Sequence, residues 1–151
     1  MSTLLVDELF DGVEFIQPIN ITRSTQVAHI RAWIYKTGTL ATGDLRLRVY
    51  DGATLLKTVT IPYTQINIEI TNTYAHGYIR FDVEPLALNV GDLESYHEYT
   101  LIFDMINYVD DPNNYIGIIR EWDKEKYIIS GGSPVNDSEN PAGIEIYSYR
   151  G

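Results

Sequence analysis

The chain is written in short runs where apolar and polar residues alternate, separated by turn residues, and this period of two marks β-strands. Between residues 27 and 36, Ala28, Ile30, Ala32 and Ile34 fall on one face and Val27, His29, Arg31, Trp33 and Tyr35 on the other, which predicts a strand with one packed and one amphipathic face. Leu45, Leu47 and Val49 alternate with Arg46, Arg48 and Tyr50. That run stops at Asp51-Gly52, a dipeptide suited to the positive φ of a tight hairpin, so residues 55–61 are expected to return as its partner. The same alternation places Ile66, Ile68 and Ile70, and then Ile79, Phe81 and Val83, on the buried faces of two further strands. Residues 99–105, 115–122, 127–130 and 144–149 complete the set, with one more strand around Phe15. No window of helical length shows a clean period of 3.6.

About eight or nine strands with no long helix predict an all-β fold, an antiparallel two-sheet β-sandwich of jelly-roll type. Ile30, Ile34, Leu47, Val49, Ile79, Phe81, Leu101, Phe103 and Ile146 are the expected core. No repeat or linker interrupts residues 1–151, which read as a single domain, with residues 1–12 as either an arm towards a neighbouring subunit or an edge strand. The longest irregular stretches, 107–114 and 131–143, are where local function is expected.

A resemblance sharpens this expectation. The stretch Gly77-Tyr-Ile-Arg-Phe-Asp-Val-Glu-Pro-Leu-Ala-Leu-Asn-Val-Gly-Asp92, followed by Tyr99-Thr-Leu-Ile-Phe103, resembles the strand, Pro-Leu, Gly-turn and Tyr-rich-strand succession of jelly-roll modules. With the Leu-rich strands upstream it looks like the modules of bacteriophage capsid-associated or fibre proteins and of carbohydrate-binding domains. What this implies is a non-catalytic virion structural module, for capsid decoration or associated with a fibre, or alternatively a carbohydrate-binding module acting in host attachment.

Composition narrows the partners. A formal net charge of −10 repels phosphate backbones and anionic lipid, so neither nucleic acid nor membrane is an expected partner. The absence of cysteine removes disulfides, thiolate zinc sites and cysteine nucleophiles together. The N-terminal residues lack a basic segment and their apolar run is broken at Asp7, so no signal peptide or transmembrane segment is read and synthesis in the cytoplasm is expected, with the virion as final location if the protein is viral.

Two clusters carry candidate chemistry. Asp104, Asp110, Asp111, Asn113 and Asn114 offer the hard oxygens that Ca2+ takes, although turn-capping explains the same Asp-Asp-Pro-Asn-Asn run. Trp33, Tyr35, Tyr50, Trp122 and Tyr127 could stack on a glycan or line a protein interface, since an aromatic ring buries an apolar face while its edge stays wet. Catalysis has less support: His29, His76 and His97 are dispersed and no nucleophile elbow, zincin helix or phosphate loop is present. Asp104, Glu121 and Asp123 are the carboxylates a glycosidase would draw on. Twelve tyrosines, together with the apolar Leu4, Leu5, Val6, Leu9 and Phe10, lead to an expected homo-oligomer, a trimer, within a larger protein assembly.

Overall fold

The structure, a computed structural model, describes residues 4–66, 76–121, 127–130, 133–134 and 145–148. Eleven strands run through them: β1 (Leu4–Glu8), β2 (Glu14–Ile21), β3 (Thr25–Thr37), β4 (Asp44–Asp51), β5 (Thr54–Pro62), β6 (His76–Leu88), β7 (His97–Ile106), β8 (Tyr115–Glu121), β9 (Tyr127–Ser130), β10 (Ser133–Pro134) and β11 (Glu145–Ser148). A single 3-10 turn, Tyr63–Gln65, is the only helical element among the described residues.

One sheet joins β1 to β8, β8 to β3 and β3 to β6; the other runs β10-β9-β2-β7-β4-β5. Stripped of the three short late strands, the orders are 1-8-3-6 and 2-7-4-5, the doubly wound antiparallel pairing of a jelly roll. β6 follows one edge of β3 from Thr25 to Tyr35, so β8 (at Ile34–Thr37) and β11 (at Val27–Arg31) share the other edge. β1 pairs antiparallel with β8, from Leu4 opposite Glu121 to Glu8 opposite Gly117. Residues 4–8 thus form an outer strand of this sheet, and the oligomer expectation loses the support it drew from the N-terminus.

Alternation places the core. Phe81 of one sheet and Phe103 of the other meet edge-on at 5.6 Å between ring centroids, and all nine expected core side chains are buried. Between them, Ile19, Ile21, Ile116 and Ile118 close the layer.

Three departures from the sequence reading have local causes. Val27 is buried and Ala28 is not, because an irregularity between Val27 and His29 shifts the register of β3 against β6 by two residues and breaks the alternation there. The hairpin after β4 turns on Gly52-Ala53 rather than Asp51-Gly52, with φ of 58° at Gly52 alone, as a type II′ turn requires. The pairing of β9 with β2 is parallel, with Ile19 opposite Tyr127. The expected strand at residues 66–70 lies outside the described residues apart from Ile66, which is buried after the 3-10 turn.

Jelly-roll winding sends the odd-to-even connections to one end of the sandwich and the even-to-odd connections to the other. Residues 38–43 and 107–114 meet at the first end; the Gly52 turn and residues 89–96 meet at the second.

Candidate functional site

The acidic loop at the first end is built by its own hydrogen bonds. Asp111 accepts the backbone N–H of Asn113 (2.9 Å) through Oδ1 and the side-chain amide of Asn114 (2.8 Å) through Oδ2. Those bonds, the Asn114 one foremost, hold the Asp111 carboxyl below its ordinary pKa. Asp110 Oδ1 accepts the N–H of Asp11 (2.7 Å), and Asn114 Oδ1 accepts the N–H of Thr39 (2.9 Å). Tyr108 reaches underneath and donates its hydroxyl to the carbonyl of Asn114 (2.6 Å). Tyr108, Asp110, Asp111 and Asn114 border a depression of about 400 Å³ with Thr39, Ala41, Thr42 and Pro112.

Asp104 does not join that loop. It points from the outer face of β7 and is almost fully covered, because Arg46 of β4 clasps both carboxylate oxygens (Nε–Oδ1 2.9 Å, Nη2–Oδ2 2.6 Å). Arg48 lies 3.4 Å from Oδ2 and also pairs with Glu14 of β2. The bond to Asp104 is the main reason the Arg46 pKa rises above its ordinary value. Glu14, Asp104 and Arg46 are direct cross-strand neighbours, so the pleat alone brings this network together. Among the described residues no group of three or more His, Asp and Glu side chains is arranged to hold a metal ion.

The aromatic candidates separate. Trp33 of β3 stacks on Tyr78 of β6, its partner in register, with centroids 6.4 Å apart and planes 24° from parallel. The Arg31 guanidinium lies 4.3 Å from the Tyr78 ring centroid, a cation–π contact. Tyr35 instead packs against Tyr115, which packs against Phe10, and accepts a bond from the Thr37 hydroxyl. Tyr50 sits on the other sheet beneath Arg48. Trp122, with Asp123, lies outside the described residues, as do the side chains of Glu121 and Tyr127.

Tyr78 also forms the lip of a cleft of about 360 Å³ where the edge strands β5 and β6 face each other across the open margin of the sandwich. Thr60 and Gln65 line one wall and Arg80 and Asp82 the other. Arg80 Nε donates to Asp82 Oδ1 at 2.7 Å. Sequence reading did not single out Tyr78, Arg80 or Asp82. They alternate with the buried Ile79, Phe81 and Val83, so their outward direction was legible, but their neighbours were not.

At the second end, His97 stands between two carboxylates. Its Nε2 is 2.8 Å from Asp51 Oδ1 on the β4–β5 hairpin and its Nδ1 is 3.0 Å from Glu94 Oε2 in the β6–β7 connection. Bonding to Asp51, then to Glu94, raises the His97 pKa, and the same contact lowers that of Glu94. Glu94 further accepts the N–H of Gly91, and Ser24 and Val90 exchange hydrogen bonds. Two connections are thus tied to each other and to the body while presenting fully exposed Leu93 and half-exposed Tyr96, and Leu55 and Leu56 are exposed just after the hairpin. No helix among the described residues is long and apolar enough to cross a membrane. No protein-family model matches the chain, and no curated protein matches it either.

Proposed function

We propose that this chain is a non-catalytic assembly module of the virion structural kind, a capsid-decoration or fibre-associated component, which associates with copies of itself through the Gly52 and 89–96 end. The observation that carries this reading is the set of exposed apolar side chains there, Leu55, Leu56, Leu93 and Tyr96, on backbone held by His97, Ser24 and Gly91. A mobile loop with an exposed leucine would be ordinary. Apolar side chains carried on a backbone tied down by hydrogen bonds are better prepared for a protein contact than those on an untied loop, since less backbone freedom is lost on docking.

Two features support the non-catalytic part. Asp104, the most buried carboxylate among the described residues, has both oxygens committed to arginines, and Asp111 is committed to its own turn. The fold agrees with the structural part, because jelly rolls build viral capsid and lectin domains alike, although fold alone assigns neither.

Light scattering over a wide concentration range tests the reading. Wild-type protein is expected to gain mass with concentration, and more so at high salt, which screens the repulsion between two chains of charge −10. Leu93→Asp is expected to remain monomeric with an unchanged melting temperature. A strictly monomeric wild type at every salt, or an oligomer indifferent to Leu93→Asp, would overturn it.

A further inference from the structure

We infer that the β5–β6 cleft, with Tyr78 at its lip, is a saccharide-binding site, taking one pyranose unit of a glycan by its vicinal hydroxyls and one apolar face. This goes beyond the assembly reading and stands or falls separately, since the cleft lies at the sheet margin and the proposed protein contact at a loop end.

A sugar ring asks for two things of a protein: an aromatic surface for its C–H face, and paired donors and acceptors for hydroxyls that have to leave water. The cleft supplies both. Tyr78 is 44% exposed, and Trp33 and Arg31 hold its ring in place. A direct cross-strand aromatic pair also stabilises a sheet, so the stack by itself is no argument for a ligand. The polar wall is the independent observation. Arg80 and Asp82 are paired at 2.7 Å, yet their side chains are 62% and 72% exposed, so they add little to stability where they stand. Side by side they present N–H donors and a carboxylate acceptor, which matches two adjacent hydroxyls, each able to donate and accept. Across the cleft, Gln65 and Thr60 add an amide and a hydroxyl. The volume of about 360 Å³ falls at the small end of ligand pockets, which suits a single ring of a longer chain.

Other ligands fit less well. The described residues hold no cluster for a metal ion. A phosphate-rich ligand would meet a chain of net charge −10 and a cleft whose one lining arginine is already matched by Asp82. Burial foremost, then Arg80, lowers the pKa of His29, which stands opposite Asp82 in register, so this margin keeps its polar character without gaining a cation at neutral pH.

The test is a titration of isotope-labelled protein with methyl pyranosides of the gluco, galacto and manno series, together with a glycan array to find the preferred epitope. Saturable shifts are expected at Gln65, Tyr78, Arg80 and Asp82. Asp82→Asn and Tyr78→Ala should each weaken binding at least about tenfold, and Asp82→Asn should do so with an unchanged melting temperature, because its side chain is largely in water. Phe or Leu at Tyr78 separates stacking from mere loss of sheet packing: Tyr78→Phe should keep most of the affinity and Tyr78→Leu should not. The proposal is overturned by the absence of saturable binding to any pyranoside or arrayed glycan, by shifts centred on another surface, or by affinity that survives both Asp82→Asn and Tyr78→Ala.

Discussion

Replacing Asp104 with alanine should destabilise the fold without touching any site at which a ligand binds. The carboxylate is 8% exposed and receives two short bonds from Arg46 and a longer contact from Arg48, whose side chains retain 26% and 18% exposure. Removing one partner of a buried ion pair costs about 3–5 kcal/mol because a charge is left without compensation. Here the stranded guanidiniums can turn partly to water, and Arg48 keeps Glu14, so the expected loss is nearer 2–3 kcal/mol. For a domain of this length that is about 5–10 °C in melting temperature. Thermal melts of Asp104→Ala, Arg46→Ala and the double variant measure it, and the cycle should return a coupling of at least about 1 kcal/mol. Asp104→Ala melting within about 2 °C of wild type would refute the reasoning, since it would mean that the arginines lose nothing when their shared acceptor goes.

Further outcomes follow from other parts of the fold. His97 has both nitrogens against carboxylates, so the clasp needs the imidazolium, and its raised pKa means that the stability it adds is fully present below about pH 6.5 and is lost as pH rises through the folded value. Melts of wild type and His97→Gln should converge with rising pH, and a gap that widened instead would contradict this. Gly38 has φ of 70°, and a Cβ there would stand 2.4 Å from the carbonyl oxygen of Asn113, so Gly38→Ala should lose about 1–3 kcal/mol in denaturant unfolding. Gly52→Ala, with φ of 58° but open space around it, should lose only about 1 kcal/mol. Phe103→Ala removes the ring that meets Phe81 across the sheets and should cost about 3–5 kcal/mol by the same assay.

Much of this fold was legible in the sequence because a pleated strand leaves a side chain only two directions. Once residues 45–49 or 79–83 alternate, their apolar members have to face the core, and they do. What the alternation does not contain is register between distant strands. The register shift at Val27 depends on how β3 meets β6 some fifty residues later, and the parallel placement of β9 depends on the free edge of β2. The candidate sites divide along the same line. Asp111, Asn113 and Asn114, neighbours in the candidate Ca2+ cluster, bond to one another within one turn, whereas Asp104, placed with them by proximity in sequence, bonds to Arg46 on the adjacent strand. Trp33 was recognisable as an outward aromatic. That Tyr78 lies opposite it, and that Arg80 and Asp82 edge a cleft with Gln65, are properties of pairing across the sheet and of the margin between two sheets.

The central claim, that the pinned loop end is a protein contact, is tested most directly by hydroxyl-radical footprinting of the wild-type protein at low and high concentration. The account predicts protection confined to Leu55, Leu56, Leu93 and Tyr96, with Ile16 and Val109, also exposed, labelled alike at both concentrations. Unchanged labelling of Leu93 and Tyr96 at high concentration, or protection that falls on Ile16 and Val109 instead, would contradict it.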